Sequence, residues 1–184
     1  MINSIQHFEE KIIPKFKKLE NEYLKNPLEL DKYVTELTKE LHHFGLFIVQ
    51  ETLEMMDQML KESQVRAEKW IVESHKQKQL LTTLGSVTFQ KTLFKNKQTG
   101  KCEYLLDKIL GLHPHERITD GAMANALEEA VQISYRRGGE EISVTTQVSK
   151  QTIKNKIHQL KFPKQKEQNI KKKQVYFQSH IWGL

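Results

Sequence analysis

The stretch VSKQTIKNKIHQL, residues 148–160, has the pattern of a short amphipathic helix with a defined start. Ser149 can cap the first turn, because its side-chain oxygen can accept a hydrogen bond from a free backbone amide. Three apolar residues then recur at i, i+4 and i+7, which places them on one face of a helix: Ile153, Ile157 and Leu160. The stretch therefore predicts a helix over Lys150–Leu160 with one face resting on other helices and one polar face.

The polar face of this predicted helix suits contact with DNA. A recognition helix inserts its first turns into the major groove, where side-chain donors and acceptors meet the base edges. Gln151 and Asn155 carry the amide groups that pair with adenine, and the lysines suit phosphates or guanine. The predicted DNA-binding residues are Lys150, Gln151, Thr152, Lys154, Asn155, Lys156 and His158.

The preceding residues predict the other helices of a helix-turn-helix over residues 119–162. Thr119 or Asp120 is the expected N-cap of a first helix, and Gly138-Gly139 is expected to end it. Its predicted inner face contains Ala122, Ala126, Leu127, Ala130, Val131 and Ser134 or Tyr135. A short second helix is predicted over Glu140–Gln147, with Val148-Ser149 as the turn before the recognition helix.

Charge is distributed unevenly along the chain, which carries a formal net charge of +6. Between Glu141 and Leu184 there are nine lysines and two acidic residues, whereas the first 140 residues are close to neutral. Such a basic segment favours binding to a polyanion, with an affinity that falls as the salt concentration rises. Residues 163–184, at the end of this segment, are expected to form a disordered basic tail.

Residues 1–68 are predicted to form long amphipathic helices. Apolar residues recur every three or four positions from Ile5 to Tyr23, which predicts a helix over Asn3–Lys25 that is kinked at Pro14. After Pro27 a second stripe follows with a spacing close to seven: Leu30, Val34, Leu37, Leu41, Phe44, Ile48, Met55 or Met56, and Met59. A stripe of this length pairs with another helix, either within the chain as a hairpin or in a second copy as a coiled-coil dimer.

Residues 69–110 predict a small antiparallel meander of three or four strands. Apolar residues alternate with polar ones, the period of a half-buried strand, at Val87, Phe89 and Leu93. Gly85 and Lys95–Gly100 supply turns, and Tyr104–Leu106 is the expected return strand. The predicted fold class is therefore mainly α with a small antiparallel β-meander: long amphipathic helices, then strands, then a helix-turn-helix.

The remaining polar residues indicate neither a metal site nor a catalytic group. Four histidines have no cysteine or carboxylate at ligand spacing: His42, His43, His113 and His115. Cys102 is the only cysteine and has no predicted histidine partner. Three carboxylates share one side of a helix and are interpreted as its solvated face rather than as a cation site: Glu51, Glu54 and Asp57. No catalytic residue, metal or cofactor is predicted.

The composition predicts a soluble protein without a membrane segment. No apolar run approaches the roughly 20 residues that a membrane-spanning helix needs. The first ten residues lack the basic start and apolar core of a secretory signal. Because a single cysteine also fits a reducing compartment, the chain is expected to be cytoplasmic.

Three stretches of the chain resemble the ISLre-type insertion-sequence transposases, a family long grouped as uncharacterised. They are LGSVTFQKTLFKNKQTGKCEYLLDKILGL (residues 84–112), EEAVQISYRRGGEE (128–141) and TQVSKQTIKNKIHQLKFP (146–163). The resemblance extends over about Met1–Pro163. It implies that residues 148–160 help to recognise the DNA of the mobile element, its ends in particular. It also implies that catalysis belongs to a ribonuclease-H-like domain that holds two divalent metal ions.

The residues after Pro163 differ from this family pattern. Only 21 residues follow, too few for a catalytic domain, and the end is expected to be foreign to the family through truncation or a frameshift. The chain is therefore predicted to be a catalytically inactive, DNA-binding fragment of a transposase. Two alternatives stay open: a regulatory or dimerisation protein that acts on a full-length relative, and a remnant without function.

Overall fold

A computed structural model describes residues 3–160, which form mainly helices with one small antiparallel sheet. The predicted fold class is confirmed. The basic tail predicted over residues 163–184 and the last two residues of the predicted helix-turn-helix lie outside the described residues. Within the described part of the chain, no helix is both long enough and apolar enough to cross a lipid bilayer.

The N-terminal segment folds back along a long helix. The elements are α1 (Asn3–His7), a π-helical turn (Phe8–Ile12), α2 (Ile13–Lys25), a 3₁₀ turn (Pro27–Glu29), α3 (Leu30–Glu62) and α4 (Gln64–Lys69). Ring centroids of Phe8 and Phe44 lie 5.0 Å apart, and those of Tyr23 and Tyr33 lie 4.9 Å apart. The hairpin alternative is thus present within the chain. Pro14 lies just after the π-helical turn, so the regular α-helical pattern of residues 3–25 is interrupted just before the proline, near the position of the predicted kink.

The predicted meander is confirmed as a sheet in the order β1-β2-β3. Its strands are β1 (Trp70–Leu81), β2 (Ser86–Asn96) and β3 (Cys102–Glu103). Gly85, with a φ of 153°, lies in the first turn, where its positive φ favours glycine. The return strand predicted at Tyr104–Leu106 is wrong, because a short helix, α5 (Leu105–Ile109), begins there and buries Leu106 completely.

Carboxylates of α3 cover the edge of β2 that β3 leaves free. Glu54 Oε1 accepts a hydrogen bond from Gln90 N at 3.2 Å, and Asp57 Oδ1 accepts one from Thr92 N at 2.9 Å. Asp57 Oδ2 also accepts the Thr92 hydroxyl at 2.6 Å. A free strand edge presents amides that need acceptors, so these side chains complete the edge. The interpretation of this side of α3 as a solvated face is wrong for Asp57, which is 3% exposed.

Three helices follow the connector after α5, and the second lies earlier in the chain than predicted. They are α6 (Asp120–Gln132), α7 (Tyr135–Glu140) and α8 (Lys150–Gln159). The helix predicted over Glu140–Gln147 is wrong, since residues 141–149 are not helical. Instead, this segment binds the β1–β2 turn: Val144 N donates to Thr83 O at 3.0 Å, and the Thr145 hydroxyl donates to Leu84 O at 2.9 Å.

Close packing of α6 and α7 depends on small residues. Gly138-Gly139 was predicted to end the first helix, and this prediction is wrong. Both glycines lie buried inside α7. A Cβ on Gly138 would lie 2.4 Å from Ala126 O, and one on Gly139 would lie 2.3 Å from Val148 O. The buried face of α6 consists of alanines, as predicted: Ala122, Ala126 and Ala130. Val131 and Tyr135, which were expected to face inward, are instead 82% and 40% exposed.

Two groups of buried side chains hold these elements together. The helix–sheet core lies between α3, α5 and the sheet and contains Leu53, Leu80, Val87, Phe89 and Leu106. The three-helix core lies beneath α8 and contains Leu81, Ile118, Ala122, Ala126, Ala130, Ile142 and Ile153. The end of β1 joins them, because Leu81 N donates to Arg117 O at 2.8 Å and Thr119 N donates to Leu81 O at 2.9 Å.

Candidate nucleic-acid interface

Helix α8 is fixed by its cap and by one apolar residue. Ser149 Oγ accepts a hydrogen bond from Thr152 N at 3.2 Å, as predicted for an N-cap. Ile153 is completely buried in the three-helix core, and Ile157 packs against it. Leu160 lies beyond the last helical residue and is 39% exposed, so the predicted apolar stripe is one residue shorter than expected.

Five of the seven predicted DNA-binding residues form an exposed outer face of α8. They are Lys150, Gln151, Lys154, Asn155 and His158. The Gln151 amide donates to Asn155 Oδ1 at 2.7 Å, which keeps both amides on this face. Because the helix contains no acidic residue, the face offers cations and amides without a neutralising carboxylate of its own.

The other two predicted residues, Thr152 and Lys156, are half-buried and lie on the flank of α8. Both line a cleft of about 380 Å³ whose opposite wall includes His115 and Arg117 of the connector and Gln79 of β1. The structure thus separates the predicted residues into an outer face and a cleft-facing pair.

His115 and Arg117 were not predicted as part of the interface. They precede α8 by more than 30 residues, and they reach it because backbone hydrogen bonds hold the connector against the end of β1. The spacing of residues along the sequence does not predict this contact between the connector and β1. The only signal in the sequence was the presence of two basic side chains in a connector without a predicted partner.

The arginines of α7 differ from the lysines of α8 in being engaged by acids. Arg136 Nε lies 2.9 Å from Glu140 Oε1, and Arg137 Nη2 lies 2.9 Å from Glu141 Oε1. Hydrogen bonding to Arg136 lowers the pKa of Glu140 below its ordinary value. The unneutralised positive charge of the three-helix unit is therefore concentrated on α8.

Sequence comparisons assign the chain to a protein family. A family model described as "Uncharacterised protein family (UPF0236)" matches residues 23–180. The chain belongs to this family. Three UPF0236 proteins of Caldanaerobacter subterraneus subsp. tengcongensis are similar to it: one is 31% identical over 83% of the chain, another 31% over 95% and another 32% over 92%. No solved structure is significantly similar.

The matches also show how much of each relative the chain spans and how far along the chain the family similarity continues. The chain covers 32%, 36% and 36% of the three relatives, so it spans about a third of their length. The family match also continues to residue 180. Similarity to the family therefore does not end at Pro163, where the resemblance noted from the sequence ended.

Proposed function

We propose that this chain binds double-stranded DNA through α8 and forms the DNA-targeting part of an insertion-sequence transposase. The observation that carries the proposal is the outer face of α8, where three basic or ionisable side chains and two amides are exposed without an acid. Ser149 and Ile153 hold this face on a rigid helix, which is how a recognition surface keeps its geometry. Lysines would position the DNA through phosphates, and the amides would read base edges.

The transposase assignment rests on the resemblance of residues 84–112, 128–141 and 146–163 to ISLre-type transposases. In that setting the DNA is an end of the mobile element, the protein acts in the cytoplasm, and residues 3–160 contribute recognition rather than catalysis. Incubation of element-end DNA with the chain and Mg²⁺ or Mn²⁺ should leave the DNA uncut. Metal-dependent cleavage by the purified chain would contradict the proposal that these residues recognise DNA but do not cleave it.

A salt series with fluorescently labelled element-end duplex tests DNA binding by α8. The combined change Lys154→Ala and Asn155→Ala removes one phosphate contact and one base contact. The slope of log K against log salt should become shallower by about 0.9, because one fewer counterion is released. Discrimination between element-end and unrelated duplex should fall by roughly 5- to 150-fold, since a base contact contributes about 1–3 kcal/mol.

A matched control is available on α2, far from α8 along the chain. Lys17→Ala with Asn21→Ala removes the same residue types from exposed helical positions. It should change neither the slope nor the discrimination. If both double variants bind as the unchanged chain does, α8 is not the recognition helix. If the unchanged chain binds no duplex even at about 50 mM salt, the proposed function itself is wrong.

We also propose that the chain forms a homodimer through α3, a role that suits the alternative of a dimerisation protein. Four apolar residues of α3 are each seven positions apart, and each is between 39% and 49% exposed: Val34, Leu41, Ile48 and Met55. Thr38, Thr52 and Met59 lie between them at the same spacing, so the seam contains no charge; Gly45 shares this spacing, but Leu84 of the β1–β2 turn lies against the helix there. The Thr52 hydroxyl bonds to Ile48 O, which leaves its methyl group for packing.

A second copy of the chain is the partner that this seam fits. The heptad spacing from Val34 to Met59 extends for about 38 Å along the helix, and a heptad seam pairs with a helix of the same repeat. Because the seam is uncharged, no like charges oppose each other when the same helix lies against it across a two-fold axis.

Sedimentation equilibrium at tens of micromolar tests this pairing. The change Leu41→Glu with Ile48→Glu places two carboxylates in the seam and should convert a dimer into a monomer. Both positions are already partly exposed, so the monomer should stay folded. Leu28→Glu is the matched control, because Leu28 is apolar and 96% exposed but lies outside the seam. A monomeric unchanged chain would rule the dimer out.

A further inference from the structure

Two buried lysines on one face of the sheet share a single carboxylate. Lys78 of β1 and Lys91 of β2 are 9% and 7% exposed. Lys78 Nζ lies 3.2 Å from Asp107 Oδ1, and Lys91 Nζ donates to Asp107 Oδ2. The Lys91 ammonium also lies 3.6 Å from the centroid of the Tyr104 ring. Two ammonium groups against one carboxylate leave one positive charge in excess at this site.

This imbalance carries a cost that a bound anion would remove. Burial lowers the pKa of Lys91; Asp107 and, more weakly, Asp57 act in the opposite direction, whereas Lys78 lowers the pKa further. Lys76 lies opposite Lys91 in the strand register and adds a third lysine on the same face. A buried cation without a full complement of negative charge is stabilised by any anion that can reach it.

An open cavity of about 920 Å³ gives access to the lysine pair. Its lining includes five lysines or arginines and three acids: Lys76, Lys78, Lys91, Lys108, Arg117, Glu103, Asp107 and Glu116. Two of the acids are already engaged, since Glu103 is paired with Lys108 and Asp107 with the buried lysines. The cavity is therefore positive, and it is large enough for phosphate groups rather than for a single small ion.

The cavity adjoins the cleft on the flank of α8. Gln79, His115 and Arg117 line both, so the two spaces share a wall formed by β1 and the connector. The two adjoining spaces, together called the basic groove, are lined by Thr152 and Lys156 at one end, by the lysine pair of the sheet at the other, and by Arg117 in both. The exposed Arg117 side chain forms no ion pair within residues 3–160.

We propose that this basic groove holds the sugar–phosphate backbone of the DNA that α8 contacts, with a phosphate at the lysine pair. The proposal rests on the proposed function of α8 and extends it to a second surface. The spread of positive charge favours DNA over a free phosphate compound, because a small ligand in the cavity would not also contact Lys156 on the flank of α8. Lysines and arginines that neutralise successive phosphates bind duplex DNA in this way.

Salt-dependent binding of a labelled duplex separates the two surfaces. The triple change Lys76→Ala, Lys108→Ala and Arg117→Ala removes three exposed cations from the groove without altering the buried pair. The slope of log K against log salt should become shallower by up to about 2.7, at about 0.9 for each phosphate contact. Lys11→Ala, Lys17→Ala and Lys25→Ala removes three exposed lysines from the N-terminal helices and should leave the slope unchanged.

The outcomes distinguish failure of the groove from failure of α8. If the groove triple variant matches the control while the Lys154–Asn155 double variant binds more weakly, the groove proposal is wrong and α8 stands. If no duplex binds, the proposed function fails, and calorimetric titration with inorganic pyrophosphate then identifies the ligand. Saturable pyrophosphate binding that only the groove triple variant loses would overturn the DNA backbone as the ligand in favour of a free phosphate compound.

Discussion

In the helix–sheet core, large side chains such as Phe89 and Leu53 fill the space between α3 and the strands, whereas in the three-helix unit small residues line the contact between α6 and α7: alanines on α6 and glycines on α7. The first core also contains a buried carboxylate, Asp57, that completes a strand edge. In the second, the backbones of α6 and α7 approach so closely that a methyl group has no room at Gly138. The stability of the helix–sheet core should therefore be sensitive to the loss of a polar partner, and that of the three-helix core to the addition of a methyl group.

Asp57→Ala should produce the largest loss of stability. It leaves the buried amide and hydroxyl of Thr92 without their carboxylate acceptor. Two hydrogen bonds to a charged group are lost and a buried donor is left unpaired, so the free energy of unfolding should fall by about 3 kcal/mol. Urea denaturation measures this loss, and hydrogen exchange should increase first in β2.

Glu54→Ala is the matched control one helical turn earlier. Glu54 also accepts from a β2 amide, that of Gln90, but this contact is exposed to water. Water can replace the lost acceptor there, so the cost should stay below about 1 kcal/mol. If Asp57→Ala and Glu54→Ala lower the free energy of unfolding equally, then burial is not the reason that Asp57 stabilises the protein.

The role of Asp57 shows what the spacing in α3 could and could not reveal. The apolar stripe predicted a long helix correctly, because helical periodicity is a property of the local sequence. The prediction of which faces are buried failed in two ways. The apolar stripe is only partly covered, since Phe44 contacts Phe8 whereas Ile48 and Met55 stay exposed. The polar side was expected to face solvent, but its Asp57 packs on β2. Which face is covered depends on strands that lie 35 residues away, and periodicity does not encode that contact.

Gly138→Ala should produce the next largest effect, with a sign opposite to the usual one. In an ordinary helix this change stabilises by up to about 1 kcal/mol, because alanine loses less backbone entropy. Here the new Cβ would lie 2.4 Å from Ala126 O, and a backbone atom cannot move aside as a flexible side chain can. We expect a loss of about 2 kcal/mol by urea denaturation, with faster exchange in α6 and α8.

Gly121→Ala gives the matched comparison within α6. A Cβ there would lie 3.3 Å from Thr83 Cγ2, the end of a side chain that can turn away. This change should be neutral or stabilising. If Gly138→Ala also stabilises the protein, the account of α6 and α7 as packed at the limit of backbone contact is wrong.

Gly138 and Arg117 mark the limits of prediction for the candidate site. The sequence predicted α8, its cap and its outer face, because Ser149 and the spacing of Ile153 and Ile157 are local signals. It placed Gly138-Gly139 at a helix end, the usual position for glycine, since a close approach to Ala126 leaves no local pattern. The approach of Arg117 to α8 likewise depends on a tertiary contact at the end of β1.

Ser149→Ala should produce the smallest of the three effects and confine it to one element. The change removes the side-chain acceptor for Thr152 N, and losing such a cap costs about 1 kcal/mol. Ser149→Asn should restore most of that stability, because asparagine caps as well as serine and adds no charge that would disturb DNA binding. Hydrogen exchange should quicken at the start of α8 in the alanine variant, while β2 stays protected.

Because Ile153 still anchors the helix in the three-helix core, duplex DNA should bind the alanine variant more weakly but with an unchanged salt slope. A change in the slope would mean that loss of the cap displaces the lysines of α8 from the phosphates, and that Ile153 alone does not hold the helix in place.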